Sequence, residues 1–273
     1  MRLNVELLKA ILLGFIQGAT EFLPVSSSGH LVLGSHILGF DEKGLVFDVM
    51  LHLGTLVSVV VVFREELLAM SLAPLRWLRG QRSERVHHFL LWDIYVIIAT
   101  IPAVIVGFSF KERFEEIFAS ILLVCLMLII TGSMMIATTY LSDSGKKITG
   151  IRALIIGCAQ ACAILPGLSR SGSTIFCGML LGINRETVAR FSFIMSIPAI
   201  VGAAVLNITD VISNPPEVQT MLNLLAGTIT SAFTGYFAIV LLLDLIKKNR
   251  LSWFGYYCLV IAGIGLSVLM LTT

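Results

Sequence analysis

The sequence predicts an all-α polytopic membrane protein, with six transmembrane helices and two re-entrant helical hairpins in an inverted repeat. The first observation is composition: of 273 residues, 57% are hydrophobic and 13% are charged, and the mean hydropathy is +0.94. Soluble domains carry about 25% charged residues. The other observations are six long apolar stretches and two apolar segments interrupted in the middle. We therefore expect residues 1–273 to form a single integral membrane domain.

Six stretches are long enough to cross a bilayer, which takes about 20 mostly apolar residues. They are 45–63, 89–110, 117–141, 188–208, 221–246 and 252–271. The N-terminus has no basic segment followed by a small-residue cleavage site, so we expect no removable signal peptide. The net charge of +2 is too small to indicate a nucleic-acid partner.

Two further apolar segments are broken by proline, glycine and serine. Residues 7–39 contain Pro24 and a serine run that ends at Gly29, and residues 151–183 contain Pro166 and a similar run that ends at Gly172. Each piece has only about 11–16 residues, or roughly 16–24 Å of helix. Such halves predict hairpins that enter the membrane and turn back, with their irregular backbone buried in protein or lining a wet cavity.

The two broken segments resemble each other at a shift of 143 residues. The similarity continues into the stretch that follows each segment and needs one gap. Each half then contains one hairpin and three spans, at approximately 7–141 and 151–271. The aligned pairs include Gly14 with Gly157, Gln17 with Gln160, Gly29 with Gly172, and Phe47 with Phe191.

Lysine and arginine predict the orientation, because cytoplasmic loops are enriched in them. If each hairpin returns to its own side, 13 basic residues lie inside and five outside, with Arg170 at a hairpin tip. Three spans per half is an odd number, so the halves are predicted to be inverted, as in many transporters. The basic segment 64–88 alternates Arg with Leu, and fits either an interfacial helix on anionic lipid or a solvated loop.

The interrupted segments predict an anion site. After each tip a new half-helix begins, with serine as a natural N-cap and with free N–H groups at its positive end. Arg170 adds a planar fork suited to phosphate, and an arginine at mid-depth of a membrane usually marks function. The other candidates are the backbone at Gly29, Gly167 and Gly172 and the hydroxyls of Ser26, Ser27, Ser28, Ser169, Ser171, Ser173 and Thr174.

Glu21 follows Gln17 by four residues and shares its helix face. A carboxylate repels phosphate unless a cation lies between them, and hard cations such as Mg²⁺ or Ca²⁺ take carboxylate and amide oxygens. Glu21 and Gln17 are therefore candidate metal ligands. The alternative is that Glu21 simply pairs with Arg170.

His30 follows Ser27 by three residues, again on one helix face. Ser27 and His30 are candidates for a nucleophile and its base, since an imidazole titrates near neutral pH. His30 is equally suited to protonate a leaving group or to bind phosphate as a cation. We expect a second pair, Asp48 and His52, to support the site or to hold helices together.

The motifs Gln17-x-x-x-Glu21, "LPVSSSGH" (Leu23–His30) and "PGLSRSGST" (Pro166–Thr174) resemble the signatures of the bacterial undecaprenyl-diphosphate phosphatase family, also called the bacitracin-resistance protein. The resemblance covers nearly the whole chain. It implies that Ser27 is the candidate nucleophile and Glu21 a metal or acid/base residue. It also implies proton transfer by His30 and a pyrophosphate clamp at Arg170. The family allows Glu or Gln at its first position, and this sequence has Gln17.

The resemblance further implies a multi-pass enzyme of the bacterial plasma membrane, whose site opens to the outer face and which needs a divalent cation. Its substrate would be a C55 polyprenyl diphosphate, cleaved to the monophosphate and phosphate to recycle the cell-wall lipid carrier. Inverted repeats with broken helices also fit a transporter or flippase for an anionic lipid or small anion. The sequence leaves open whether the protein is a homodimer.

Overall fold

The structure is a computed structural model that describes residues 2–38, 45–109, 120–213 and 218–272. Within these ranges it contains eleven α-helices, a short 3₁₀ turn at Thr138–Tyr140 and no β-strand. The helices are α1 (Arg2–Glu21), α2 (Ser27–Leu38), α3 (Leu45–Val62), α4 (Arg64–Leu78), α5 (Glu84–Ser109), α6 (Ile121–Ala137), α7 (Gly150–Cys162), α8 (Arg170–Leu180), α9 (Arg185–Ser213), α10 (Val218–Lys247) and α11 (Ser252–Thr272).

The membrane-spanning helices agree with the prediction. In the described part of the chain, α5, α6, α9, α10 and α11 are each long and apolar enough to cross a membrane. The sixth predicted span, α3, meets the same criterion together with α4, from which it is bent by 79°. The all-α polytopic class is therefore confirmed, with the ends of predicted spans 89–110 and 117–141 falling partly outside the described residues.

Both interrupted segments fold into helical hairpins at the predicted breaks. Helices α1 and α2 are separated by the turn 22–26, and α7 and α8 by residues 163–169. The arms of each hairpin pack against each other. Three arms are as short as expected, but α1 has 20 residues because its helix begins at Arg2, near a Glu6–Lys9 ion pair at 2.8 Å.

The second hairpin returns to the side from which it enters. The Lys146 N–H donates to the Gly182 carbonyl oxygen at 3.0 Å, so the backbone before α7 is bonded to the backbone after α8. Asn184 Nδ2 also donates to Asp143 Oδ2 at 2.5 Å. A chain whose entry and exit are joined in this way cannot cross the membrane between them, which supports the re-entrant reading.

Small residues let each hairpin lie close against a span of the other half. A Cβ on Gly14 of α1 would lie 2.3 Å from the Gly227 oxygen of α10, and one on Gly157 of α7 would lie 2.3 Å from the Ala99 oxygen of α5. Such backbone contact is typical of helix pairs in membranes. Gly14 and Gly157 are aligned in the predicted repeat. The repeat and its inversion across a membrane both stay predictions.

Candidate active site

The turns of the two hairpins cross in close contact. A Cβ on Gly29 would lie 3.3 Å from the Gly167 Cα, and one on Gly172 would lie 3.3 Å from the Pro24 Cβ. Ser171 Oγ also donates to the Leu23 carbonyl at 3.3 Å. The starts of α2 and α8 therefore converge, as predicted, and each rests on the opposite turn.

The two half-helices begin with the same capping arrangement. Ser26 Oγ accepts from the Gly29 N–H at 3.3 Å, and Ser169 Oγ accepts from the Gly172 N–H at 3.1 Å. Each capping oxygen lies 3.2 Å from the hydroxyl of the serine two residues later, which is Ser28 or Ser171. Because capping satisfies the third amide, the amides before it keep no helical partner, as at any helix start.

Glu21, at the end of α1, accepts a hydrogen bond from each of the two half-helices. Ser27 Oγ donates to Glu21 Oε2 at 2.6 Å, and Arg170 Nη2 donates to Oε1 of the same carboxylate. Ser27 and Arg170 are aligned in the predicted repeat, and each comes directly after its capping serine. The Glu21–Arg170 pair that the sequence offered as an alternative is therefore present. The carboxylate is buried, with Glu21 only 7% exposed.

Gln17 and His52 complete the surroundings of this carboxylate. Gln17 Nε2 donates to Glu21 Oε2 at 2.9 Å, one helical turn away on α1. His52 Nε2 lies 3.5 Å from Oε2, while its Nδ1 is 2.7 Å from the Asp48 carbonyl oxygen. The sequence predicts His52 only to support the site or to hold helices together. The available signal is an aspartate and a histidine one turn apart in a mostly apolar helix that follows the first hairpin.

His30 lies away from the Ser27 hydroxyl. Its Nδ1 is 2.8 Å from the Ser26 carbonyl oxygen, its Nε2 is 2.8 Å from Tyr257 Oη, and its ring stacks on that tyrosine. The structure thus does not bring His30 and Ser27 together, and Glu21 is the basic group bonded to Ser27. No sequence signal singled out Tyr257, which is one of two adjacent tyrosines in α11.

Other predicted ligands hold the second turn in place. Thr174 Oγ1 bonds to the Arg170 carbonyl oxygen at 2.8 Å and lies 2.6 Å from Ser192 Oγ. Gly167 has a φ of +90°, and its carbonyl oxygen accepts a hydrogen bond from Thr131 Oγ1 at 3.0 Å. Thr131 Oγ1 in turn accepts from the Ser169 N–H at 3.0 Å. These groups fix the shape of the site from within the protein.

Several buried polar atoms at the site have no partner among the described residues. Arg170 Nη1 is one, so half of the guanidinium fork is open while the other half holds Glu21. Gln17 Oε1 is another, and Ser173 Oγ a third. Buried polar groups are normally hydrogen-bonded, so these atoms mark places where a ligand or water binds.

The described residues contain no cluster of three or more His, Cys, Asp and Glu side chains that could hold a metal ion. The predicted cation would therefore have two protein ligands, the Glu21 carboxylate and the unpartnered Gln17 Oε1. That set fits Mg²⁺, which is commonly held by one or two protein oxygens together with substrate phosphates and water. It is too small for a cation site built from protein ligands alone.

A family model described as bacitracin resistance protein BacA matches residues 10–264. The chain belongs to this family. The resemblance found in the sequence motifs is thereby confirmed. The matched range of the BacA model contains both hairpin turns and every residue described around Glu21.

Several curated members of the BacA family are similar to the chain over nearly its whole length. An undecaprenyl-diphosphatase of Desulfatibacillum aliphaticivorans is 42% identical over 264 residues, covering 92% of this chain and 94% of the relative. One from Rubrobacter xylanophilus is 42% identical and covers 98% and 100%. One from Halothermothrix orenii is 39% identical and covers 94% and 96%.

Proposed function

We propose that this chain is an undecaprenyl-diphosphatase that removes the terminal phosphate of a C55 polyprenyl diphosphate. It thereby recycles the lipid carrier of cell-wall synthesis and confers resistance to bacitracin. The observation that carries the proposal is the buried cluster in which Ser27 and Arg170, from two crossing half-helices, both bind Glu21. The names of the relatives supply the substrate class.

The crossing half-helices bind the diphosphate. The starts of α2 and α8 direct their positive ends toward the same place, and Arg170 Nη1 is free for a phosphate oxygen without displacing Glu21 from Nη2. Phosphoryl transfer depends mainly on positioning and on neutralising the charge of the equatorial oxygens. The setting also suits a lipid, because a polar site inside an apolar helical bundle can hold the headgroup while the tail stays in hydrocarbon.

Ser27 is the nucleophile that the hydrogen bonds favour. Its hydroxyl already donates to Glu21, which takes the proton as Oγ attacks the terminal phosphorus. The bond from phosphorus to the bridging oxygen breaks, and its electron pair leaves with the polyprenyl monophosphate. Water then attacks the phosphoserine, and Glu21 returns the proton to Oγ as phosphate departs. In the rival route Glu21 activates a water that attacks directly.

The two routes differ in a covalent intermediate. Rapid acid quenching of the enzyme with substrate labelled with ³²P in the terminal phosphate should leave label on Ser27, located by peptide mass spectrometry. Ser27→Ala should abolish both label and turnover. If phosphate is released by the wild type without any labelled protein, and Ser27→Ala keeps most of its activity, the direct water route is correct instead.

We propose Glu21 and Gln17 Oε1 as the protein ligands of a divalent cation, Mg²⁺ or Ca²⁺. When bound, it neutralises phosphate charge beside a carboxylate that would otherwise repel the substrate. Direct binding of Mn²⁺, as an EPR-visible substitute, tests the ligands apart from turnover. In the presence of a non-hydrolysable diphosphate, Glu21→Gln should weaken Mn²⁺ binding at least tenfold. Unchanged binding would remove Glu21 from the cation site.

We also propose that the site opens toward the outer face of the bacterial plasma membrane. The support is the excess of lysine and arginine on the side where α4, the C-terminal end of α10 and the loop before α7 lie. An outward-opening site would take up the diphosphate from the outer leaflet.

Phosphate release from farnesyl or undecaprenyl diphosphate by the purified protein tests the activity. We expect release in the presence of Mg²⁺, and its loss in Arg170→Ala and Ser27→Ala. Arg152→Ala and Ser133→Ala are matched controls on exposed side chains that bond only to nearby backbone, and should keep full activity. No release by the wild type, or equal release by all variants, would favour an anion or lipid transporter.

A further inference from the structure

We infer that α4 and the segment after it form a binding surface for anionic phospholipid headgroups, apart from the phosphatase site. We define this α4 surface by Leu68, Leu75 and Leu78 together with Arg76, Arg79 and Arg82. The surface lies at one end of the membrane-spanning bundle. Its ligand is the phosphate of lipids in the adjoining leaflet, with acyl chains beneath it.

The first step is the direction of α4. The chain turns by 79° between α3 and α4, so a helix that follows a span comes to lie nearly parallel to the membrane surface. The corner residue Phe63 is buried, and Glu66 in the first turn binds Arg190 of α9 at 2.6 Å. Met70 and Ala73 are buried on the face that packs against α5. The helix is therefore held across the end of the bundle by contacts on one face.

The second step concerns the face of α4 that no other helix covers, which carries exposed leucines. Leu68 is 61% exposed, Leu75 45% and Leu78 82%. Seven and three residues separate them, which places them along one side of the helix. A surface helix with such a stripe lies in the headgroup region and buries the stripe at the top of the acyl chains.

The third step is charge. Arg76, Arg79 and Arg82 are exposed, and no carboxylate among the described residues pairs with them. Arg82 lies over the Trp77 ring at 5.2 Å, which keeps its charge beside the helix. Two other basic residues at this end pair with carboxylates. Lys247 binds Glu186 at 3.7 Å and Lys248 binds Asp244 at 2.6 Å.

Together these features select a lipid leaflet over an acidic protein. Unneutralised arginines beside an exposed leucine stripe match an interface that is anionic at its surface and apolar just below. An acidic soluble partner would leave the leucines in water. Of the two readings of segment 64–88, the structure has a helix over Arg64–Leu78, as the lipid-binding reading requires.

Native mass spectrometry of the full chain from mixed liposomes tests the headgroup preference. The liposomes contain phosphatidylglycerol and phosphatidylcholine in equal amounts, and the readout is the ratio of the two lipids retained. We expect Arg76→Gln/Arg79→Gln to reduce the phosphatidylglycerol preference at least threefold. The control Lys247→Gln/Lys248→Gln removes the same charge from paired residues and should leave the preference within a factor of 1.5. Equal reductions, or none in the arginine variant, would overturn the proposal.

A second measurement reports the depth of the stripe. A nitroxide at Leu78→Cys, in a background without the five native cysteines that keeps phosphatase activity, should be reached by oxygen and shielded from a water-soluble nickel complex. A nitroxide at Gly145→Cys, in an exposed loop, is the aqueous reference. A Leu78 label as accessible to nickel as the Gly145 label would place the face in water and overturn the proposal in favour of a protein partner.

Discussion

At the scale of single residues, the candidate site depends on how Glu21 is held. A buried carboxylate is costly unless it is paired and hydrogen-bonded. Here Gln17, Ser27 and Arg170 donate to its two oxygens, and His52 stands 3.5 Å from one of them. The same contacts that make its burial tolerable also orient it toward the hydroxyl of Ser27. Structural stability and proton transfer thus use one set of bonds.

Glu21→Gln should be far more damaging than Gln17→Ala. The amide keeps the shape of Glu21 but cannot accept the Ser27 proton, so we expect kcat/KM to fall by about 10²–10⁴-fold. Gln17→Ala removes one hydrogen bond to Glu21 and one proposed cation ligand that water can replace, so we expect a loss of about tenfold or less. The measurement is phosphate release from farnesyl diphosphate with both variants checked for unchanged thermal unfolding. Comparable losses in the two would show that the carboxylate has no special chemical role.

His52 is expected to act as a positioning residue for Glu21. His52→Leu removes the polar group beside Oε2, and we expect kcat to fall about tenfold with little change in KM, because we place the diphosphate at the open Arg170 Nη1 and not at this ring. His52→Gln has an N–H at the end of a side chain of similar reach and should restore most of the rate. A raised KM instead of a lowered kcat would mean that His52 contacts substrate. Equal defects in both variants would mean that His52 only packs.

At the scale of elements, the two half-helices depend on glycine where their turns touch the surrounding helices. Gly29 and Gly172 face the opposite turn at 3.3 Å, and Gly167 faces the backbone of α6. Repeated serine caps set the helix starts, while these glycines let the starts approach each other. The geometry that gathers Ser27 and Arg170 is therefore a property of backbone contact more than of side-chain packing.

Gly167→Ala should destabilise the protein strongly. Its φ of +90° is strained for any residue with a side chain, and the added Cβ would lie 2.3 Å from the Val124 oxygen. We expect a loss of about 1–3 kcal/mol, seen as a clear drop in the thermal unfolding midpoint in detergent. Gly263→Ala is the matched control, since nothing lies within 4 Å of a Cβ there and alanine favours helix. Equal midpoints for the two variants would contradict this account of the crossing.

At the scale of the whole molecule, the sequence predicted the features that depend on neighbouring residues and missed contacts between distant ones. Pro24, Pro166 and the serine runs located both breaks and both caps, because helix interruption and capping depend on neighbouring residues. The contact of His30 with Tyr257 joins residues 227 positions apart on an apolar helix without a motif. His52 reaches Glu21 only through the packing of α3 beside α1. Such contacts follow from tertiary arrangement, which periodicity alone does not specify.

The last prediction concerns the path of the chain through the membrane. Helices α7 and α8 have 13 and 11 residues, or about 20 and 17 Å, and are shorter than the hydrocarbon core of about 30 Å. The bonded segments around Lys146 and Gly182 place both ends of this hairpin on one side. Reporter fusions at Gly80, Gly145 and Asn184 should therefore all be cytoplasmic, because two spans separate the first pair and a returning hairpin the second. A fusion at Thr220, near the start of α10 and one span later, should report the outside and serves as the opposite control. Opposite signals at Gly145 and Asn184 would make α7 and α8 a crossing segment, and would remove both the inverted repeat and the outward-facing site that rests on it.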